Sequence, residues 1–466
     1  MGEATALPSA FQRRVERALA DDFLRMAVPQ GTFRDDDARR RAWAELGAAV
    51  RWRERARRIR EHTVRHLDRY LALAAERIEA QGGRVHWAAD AAEAAAAVTA
   101  ILRAAGARRI VKSKSMVTEE IRLNERLEAE GFEVVETDLG EYILQVAGDR
   151  PSHIIAPAMH MTRRQVRAEL SRVAGRELPD DAAALVAFAR ERLREAFLAA
   201  DAGITGANFV VAEAGAVVLV SNEGNGRMVA SLPRVHIAIV GMERLVPRWE
   251  DLGVLLELLA RSATGQKMSV YTTFAGGVRR PDEIDGPEEF HVIFLDNGRS
   301  RLLGTDFQEA LHCIRCGACQ NACPVYRRIG GHAYGGVYGG PIGAVLMPLL
   351  GGDGEDWGEL PWASSLCGAC HEACPVLIPL PELLLRHRRD EVEAGRVHAA
   401  QRWAMRLWGI ACAHPAAYRL AARLARLLPR SLVSAALGAW TAGRDLLPLS
   451  ARPFHARWAA MRTARR

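Results

Sequence analysis

Seven of the eight cysteines lie in one stretch, residues 313–374, and no cysteine precedes it in the 466-residue chain. Disulfide frameworks are typical of small secreted chains, whereas the first residues here carry charges throughout and lack the apolar segment of a secretory signal. The sequence therefore predicts a cytoplasmic protein whose thiols stay reduced. Because the thiols are clustered in one short segment, they indicate a local metal cofactor site that follows a long cysteine-free part of the chain.

The clustered cysteines form two runs that share a pattern. The first run reads CIRCGACQNACP (313–324), and the second reads SSLCGACHEACP (364–375). Each run ends in C-x2-C-x3-C-P, a spacing typical of proteins with two clusters, in which the last cysteine of a run ligates the other cluster. Zinc is the alternative for paired C-x2-C motifs, but it does not explain a third cysteine and a proline in both runs. We expect two [4Fe-4S] clusters.

The crossed pattern assigns the seven cysteines to two ligand sets. Cluster 1 takes three thiolates from the first run and one from the second, namely Cys313, Cys316, Cys319 and Cys374. Cluster 2 takes one thiolate from the first run and two from the second, namely Cys323, Cys367 and Cys370. The fourth position of cluster 2 has no assigned cysteine.

Three interpretations of that fourth position are open. The fourth iron could be faced by water, by substrate or by Ser364, which stands where the first run has Cys313. Alternatively, the cluster could be a three-iron form, or Cys412 could reach the fourth iron. Cys412 is expected to be a small core residue instead. His312 and His371 flank cysteines and are expected to be solvated neighbours rather than ligands.

Changes in hydrophobic periodicity divide the chain into four predicted segments. They are a helical N-terminal segment (1–83), an α/β domain (84–300), a helical two-cluster ferredoxin-like domain (301–390) and an Arg-rich helical segment (391–466). Strands alternating with helices predict a largely parallel or mixed sheet covered by helices. The predicted strands include 108–115, 132–139, 153–158, 235–242 and 290–298, and residues 208–222 predict a strand or a hairpin turning at Glu213–Gly215.

The segment between the two runs is rich in glycine. Residues 330–350 read GGHAYGGVYGGPIGAVLMPLL, and the two tyrosines, Tyr334 and Tyr338, favour a loop packed over a cluster rather than a flexible linker. Glycine at these positions lets the backbone approach its neighbours closely.

Charge is unevenly distributed along the chain. The net charge is +7, but the residues from Arg386 onwards contain 16 Arg and four acids, a balance of +12. Such asymmetry indicates a partner surface. The Arg and Ala bias is attributed to genomic composition, so no nucleic-acid partner is predicted. A solvated helical face is favoured over peripheral contact with an anionic membrane.

Two segments of the α/β domain carry candidate ligand-binding residues. Lys114 follows a predicted strand in Ser-Lys-Ser, and Glu223 and Arg227 lie in the polar loop SNEGNGR. Loops at the carboxyl ends of strands are where open α/β sheets bind ligands, although an ordinary turn is the alternative. No G-x-G-x-x-G or P-loop stands in a usable context, so no flavin or nicotinamide site is predicted.

The two runs, in IRCGACQNACPVYRRIGGHAYGGVYGGPIGAVLMPLL and ASSLCGACHEACPVLIPLPELLLRHR, resemble the lactate utilisation protein B family. Upstream, IVKSKSMVTEEIRLNERLEAEGFEVVETDLGEYILQ and GITGANFVVAEAGAVVLVSNEGNGRM resemble its N-terminal module. The resemblance, over about residues 60–390, implies an α/β fold like those of sugar-phosphate isomerases and coenzyme A transferases. It also implies two four-iron clusters on the seven cysteines.

The resemblance implies an electron-transfer component of bacterial L-lactate oxidation to pyruvate, rather than a complete enzyme, working with two companion proteins. The alternative is that the α/β domain is an enzyme acting on a carboxylate or acyl-thioester, with structural or regulatory clusters. A third hypothesis is a redox-dependent scaffold that docks a partner through the Arg-rich segment.

Overall fold

The computed structural model describes residues 9–351, 357–397, 399–429, 431, 433–434, 450 and 452–464. The chain divides into two compact units, Met1–Arg389 and Asp390–Arg466. The first unit contains the N-terminal helices, the sheet domain and the cysteine runs, and the second contains the Arg-rich helices.

Four helices precede the first strand. They are α1 (Ala10–Ala20), α2 (Asp22–Leu46), α3 (Ala49–Arg65) and α4 (Leu67–Ala80). Helix α1 begins with a capping box between Ser9 and Gln12, and α2 begins where Asp21 accepts a hydrogen bond from the N–H of Leu24. Such caps satisfy N–H groups that have no partner in the first helical turn. The described residues from 10 to 80 are thus almost entirely helical, in agreement with the helical character predicted for this segment.

Strands and helices alternate through residues 84–300, all of which are described. The strands are β1 (Arg84–Ala88), β2 (Arg109–Lys112), β3 (Glu133–Glu136), β4 (Ala202–Thr205), β5 (Phe209–Val211), β6 (Ala216–Ser221), β7 (Val235–Gly241), β8 (Leu245–Val246), β9 (Tyr271–Ala275) and β10 (Glu289–Leu295). The helices are α5 (Ala91–Ala104), α6 (Met116–Glu120), α7 (Leu123–Ala129), α8 (Leu139–Ala147), α9 (Arg163–Ala174), α10 (Ala182–Ala199), α11 (Asn225–Ser231) and α12 (Trp249–Thr264).

Six of these strands form one parallel sheet in the order β1-β10-β7-β4-β2-β3. Every residue of β7 is buried, as is every residue of β10 after Glu289. Continuous apolar strands of this kind are typical of parallel sheets whose two faces are both covered. The predicted α/β domain with a parallel sheet is confirmed.

A smaller sheet has the order β8-β5-β6-β9, and β5 and β6 pair antiparallel in it. The predicted hairpin is therefore confirmed. Its turn ends at Gly215, which has φ +62° and where a Cβ would lie 2.6 Å from the backbone nitrogen of Ile78. Both the conformation and the close approach require glycine.

Residues 153–158 form turns, so the strand predicted there is wrong. The Nδ1 atom of His153 accepts hydrogen bonds from the N–H groups of Ile155 (3.1 Å) and Ala156 (3.2 Å). Side-chain bonds to nearby backbone compete with strand pairing, and Pro157 has no N–H to donate.

The cysteine runs lie among short helices: α13 (Ala318–Ala322), α14 (Tyr326–Ile329), α15 (Gly340–Leu350), α16 (Ala369–Ala373) and α17 (Leu380–Glu393). The loop between the runs is packed, as predicted, because Tyr334 and Tyr338 are fully buried. A Cβ on Gly331 would lie only 1.7 Å from the carbonyl oxygen of Ser152. The loop therefore contacts the sheet domain at a distance that only glycine allows.

The second unit contains α18 (Ala399–Ala413), α19 (Pro415–Leu427) and α20 (Phe454–Ala464). No residue of α18 or α19 is buried. Residues 435–449 of the predicted Arg-rich segment lie outside the described residues. Within the described part of the chain, every helix is too short or too polar to cross a bilayer.

Candidate functional site

The two cysteine runs adopt the same local structure. Arg315 in the first run and Leu366 in the second occupy equivalent positions and have φ values of +58° and +56°. Each run continues through a left-handed glycine, Gly317 or Gly368, into a five-residue helix that ends at a Cys-Pro pair. A left-handed non-glycine residue is uncommon, so its occurrence at matched positions shows that the sequence repeat is also a structural repeat.

Ser364 takes the place of Cys313 within this repeat. The N–H of Arg315 donates to the Sγ of Cys313 at 3.4 Å, and the N–H of Leu366 donates to the Oγ of Ser364 at 3.1 Å. The side-chain oxygen of the second run thus points where the sulfur of the first run points, relative to its own backbone.

The four thiols predicted for cluster 1 meet at one small cavity. Its lining includes Cys313, Cys316, Cys319 and Cys374, together with apolar side chains. Cys374 belongs to the second run, so the fold brings one cysteine across from the other run. The remaining three predicted ligands also interact: burial, together with the nearby thiolates of Cys323 and Cys367, raises the pKa of Cys370 to about 12.

The donor set fits an iron–sulfur cluster better than a single zinc ion. Burial raises the pKa of Cys316 and Cys319 well above the usual range, so their thiolates need a metal cation nearby. Tetrahedral zinc with Zn–S bonds of about 2.3 Å requires sulfurs about 3.8 Å apart. No three of the seven sulfurs in the runs, all within the described residues, lie within 4.8 Å of one another.

Helix α3 holds both runs through two arginines that the sequence analysis did not single out. Arg53 donates to the carbonyl oxygens of Cys374 (2.9 Å) and His371 (3.0 Å). Arg60 is buried and donates to the carbonyl oxygens of Leu311 (3.0 Å), His312 (3.3 Å), Leu245 (2.7 Å) and Glu243. Their spacing of seven residues places both on one side of the helix, but the many other arginines of α3 left no sequence signal that singles them out.

Both histidines beside the runs were predicted to be solvated, and for His312 this prediction is wrong. His312 is 2% exposed and its Nε2 atom has no hydrogen-bond partner. Burial and the charges of Arg60 and Arg57 lower its pKa to about 3. His371 is partly exposed and its Nδ1 atom lies 2.9 Å from the carbonyl oxygen of Ile378. Tertiary packing against α3 buries His312.

Cys412 is exposed on α18, so the prediction of a small core residue is wrong. Helix α18 belongs to the second unit, and none of its residues is buried. The sequence suggested burial because free cysteine is among the residue types most often buried.

A larger cavity of about 270 Å³ lies where the carboxyl ends of the parallel strands face the first run. Lys114 and Glu223, two of the predicted ligand-binding residues, line it, and so does Cys316. Arg227 lies on α11 and does not line this cavity. The fold therefore brings two of the three predicted residues together, next to a thiol predicted to ligate cluster 1.

Comparison with protein families identifies three matches along the chain. Residues 71–295 match the LUD domain, residues 309–378 match the 4Fe-4S dicluster domain, and residues 386–463 match the lactate utilisation protein B C-terminal family. The second match covers both cysteine runs and supports iron–sulfur clusters at this site.

Curated relatives cover almost the whole chain. Lactate utilization protein B of Shouchella clausii is 51% identical over 90% of this chain and 88% of the relative. The protein of the same name from Oceanobacillus iheyensis is 47% identical over 96% of both chains. A crystal structure of a duf162 family protein from Deinococcus radiodurans is 18% identical, with a TM-score of 0.28, and covers 49% of this chain and 98% of its own. That similarity is too weak to support an argument.

Proposed function

The chain belongs to the lactate utilization protein B family, and we propose that it carries electrons through two [4Fe-4S] clusters in the oxidation of L-lactate to pyruvate. The observation that carries the proposal is that the two cysteine runs share one local fold and that Cys374 of the second run lines a cavity with three cysteines of the first. A cytoplasmic location, where thiols stay reduced, is part of the proposal.

Cluster 1 is assigned to Cys313, Cys316, Cys319 and Cys374. Their convergence on one small cavity supports this set. Cluster 2 is assigned to Cys323, Cys367 and Cys370, and the mutual electrostatic influence of these thiols supports that set. When bound, a [4Fe-4S] cluster supplies reversible one-electron chemistry.

The fourth position of cluster 2 is assigned to Ser364. The matched hydrogen bonds to the side chains of Ser364 and Cys313 support this choice over Cys412. The hydroxyl is a weaker donor than a thiolate, so this corner is also the one where iron would be lost first, giving the three-iron form.

The surrounding residues set the charge and hydrogen bonding of the sulfurs. The N–H of Ile378 donates to the Sγ of Cys374 at 3.3 Å, and the N–H of Tyr326 donates to the Sγ of Cys323 at 3.5 Å. Arg315 is buried between the first two cysteines of the first run. N–H donors and cations stabilise added negative charge and so raise the reduction potential.

The two ligand sets differ in exposure, which supports a place of electron exchange with a partner. Cys367 is exposed, whereas Cys316 and Cys319 are buried. Cluster 2 is therefore the site of exchange with a partner at the surface. The partners proposed are the two companion proteins that the family resemblance implies.

The decisive experiment is anaerobic reconstitution of the full chain with iron and sulfide. We expect about eight irons per chain and paramagnetic signals on reduction. Addition of the companion proteins and L-lactate should then bleach the cluster absorbance. A protein that binds only zinc, or clusters that stay oxidised in the complete mixture, would contradict the proposal.

The second candidate function is that the α/β domain, through a fold like those of sugar-phosphate isomerases and coenzyme A transferases, acts on a carboxylate or acyl-thioester. The cavity lined by Lys114 and Glu223 favours it. Lactate oxidation lost in Lys114→Ala, with iron content intact, would support this role, and unchanged activity would support a pure electron carrier.

A further inference from the structure

The cavity between the sheet domain and the first cysteine run has the position of a ligand site. It lies beyond Lys112 and Thr205, at the carboxyl ends of β2 and β4, where open parallel sheets bind their ligands. Its volume of about 270 Å³ is near the lower end for small-molecule pockets, so it suits a small metabolite rather than a dinucleotide.

Most of the cations that line this cavity already have anionic partners. Arg299 bonds to Glu243 (2.6 Å) and to Glu120 (2.8 Å), and Arg244 lies 3.6 Å from Glu243. These arginines are therefore held in place as part of the wall.

Lys114 differs from those arginines. Its ammonium group makes no hydrogen bond or ion pair shorter than 4.0 Å with any residue of the described chain, although the residue lies deep in the protein and lines the cavity. Burial opposes its charge and lowers its pKa. The carboxylates of Glu141, Asp138 and Glu223 lie near enough to favour its charge, but none of them bonds to it.

Arg315 adds a second, partly paired cation to the cavity lining. Its Nη2 atom lies 3.5 Å from Glu243, its Nε and Nη1 atoms have no hydrogen-bond partner, and its guanidinium stacks on Tyr338 at 4.3 Å. Hydroxyl and amide side chains such as Ser113, Asn222 and Gln266 also line the cavity and suit a ligand with hydroxyl groups.

We propose that this cavity binds a small hydroxycarboxylate monoanion, with Lys114 as its principal anchor and Arg315 adding to the positive field. One unbonded ammonium balances one negative charge, which favours a carboxylate over a phosphate dianion. The inference rests on the proposed function only in that Cys316, assigned to cluster 1, lines the same cavity and places the ligand beside that cluster.

The test is calorimetric titration of the anaerobically reconstituted full chain with L-lactate, and separately with inorganic phosphate. We expect one equivalent of L-lactate to bind, and Lys114→Met to weaken binding at least tenfold while iron content stays unchanged. Lys267→Met is the matched control, because Lys267 is exposed, pairs with Glu45 and does not line the cavity. It should change affinity less than twofold.

A reduced-cluster paramagnetic spectrum provides a second readout. Because Cys316 lines the cavity, L-lactate should shift the cluster 1 signal in the wild type and not in Lys114→Met. Full iron content without L-lactate binding at millimolar concentration, tighter binding of phosphate, or equal affinity in Lys114→Met would overturn the inference and leave electron transfer standing. L-lactate binding retained in a protein that takes up no iron would support the ligand site and contradict the proposed electron transfer.

A separate observation points to a metal site at the contact between the sheet domain and the loop between the runs. Asp149, His160 and His332 each offer one ligand atom, and these three atoms lie within 4.8 Å of one another. The Nδ1 atom of His160 lies 2.9 Å from the Oγ of Ser152, and the Nε2 atom of His332 lies 2.7 Å from the carbonyl oxygen of Arg150. One nitrogen of each ring is thus fixed by a hydrogen bond outside the triad, as in known histidine sites. The Nε2 atom of His160 lies 2.9 Å from the Oδ2 atom of Asp149, and a bound metal would replace that contact.

The geometry points to a site for one divalent transition metal ion, held by Asp149, His160 and His332. Two imidazoles and a carboxylate form a donor set that suits zinc or ferrous iron and leaves open positions for water. The metal would link the sheet domain to the loop between the runs.

Zinc titration of the iron-loaded chain tests this site. We expect one equivalent of zinc to bind without loss of iron and to raise the Tm by several degrees. His160→Asn and His332→Asn should each weaken binding at least tenfold, whereas His62→Asn, on α3, is the control and should not. Zinc binding that is equal in all variants, or zinc uptake only with displacement of iron, would overturn the inference.

Discussion

The first and second cysteine runs have the same backbone, but their surroundings differ. In the first run Cys316, Cys319 and Cys323 are buried, and buried arginines surround it. In the second run Cys367 is exposed, and Ser364 stands where the first run has Cys313. The short-range pattern therefore sets how each run presents its ligands, while the tertiary contacts set how accessible and how electropositive each cluster is.

The difference gives the two proposed clusters different roles. A buried cluster with four thiolates and nearby cations is protected from oxidants and from solvent. A cluster with an exposed cysteine and an oxygen at one corner can exchange electrons at the surface, but it is also more easily damaged.

The largest effect is expected from removing a cysteine that crosses between the runs. Cys374→Ser should lower the iron content from about eight to about four per chain, because Cys374 lines the cluster 1 cavity. Its remaining paramagnetic signal should match that of Cys319→Ser and differ from that of Cys370→Ser. Cys412→Ser is the control and should retain all iron. A Cys374→Ser spectrum that matches Cys370→Ser would show that the runs do not exchange ligands.

The next effect concerns the arginines of α3. Arg60→Met should lower the free energy of unfolding by about 3–5 kcal/mol, because it leaves buried carbonyl groups near the first run without a partner. Arg53→Met, which removes bonds near the more exposed second run, should cost about 1–3 kcal/mol. Chemical denaturation of the iron-loaded chain measures both. Equal costs would contradict the difference in burial between the runs.

Replacing Ser364, the proposed oxygen ligand at the fourth position of cluster 2, should alter how this cluster responds to oxidation. In the wild type, mild oxidation with ferricyanide should give a three-iron paramagnetic signal from cluster 2. Ser364→Cys supplies a fourth thiolate and should reduce that signal several-fold, while Ser364→Ala should increase it or leave it unchanged. The cluster 1 signal serves as the internal control. An undiminished three-iron signal in Ser364→Cys would mean that this side chain does not face the fourth iron.

The smallest effect is a pH dependence near the first run. Burial lowers the pKa of His153 to about 4, and its Nε2 atom lies 3.1 Å from the Oδ1 of Asn321 in α13. In the unfolded chain His153 binds a proton near its ordinary pKa of about 6.5. Its contribution to the free energy of unfolding is therefore fully present above that pH and is lost as the pH falls towards 4.

That loss should be about 1 kcal/mol per pH unit between pH 6 and pH 5. His153→Asn should remove this part of the slope, which denaturation at a series of pH values would measure. If the free energy of unfolding depends on pH equally in the variant and the wild type, the pKa of His153 does not differ between the folded and unfolded chain as its burial requires.

Much of this molecule could be read from local sequence patterns. The cysteine spacing predicted iron–sulfur clusters, alternating apolar runs predicted the parallel sheet, and Gly215 allowed a hairpin to be foreseen. The strand predicted at 153–158 failed because His153 bonds to its own backbone, which apolar periodicity does not report. Arg60 was overlooked because an Arg in a highly charged helix gives no sign that it is buried.

The sequence by itself determined the chemistry of the ligands and the local shape of both runs, because these depend on neighbouring residues and on the left-handed positions at Arg315 and Leu366. The tertiary structure alone shows that α3 anchors both runs and that Lys114 shares a cavity with Cys316. Those relations join residues far apart in the chain, and they arise from packing that no local pattern encodes.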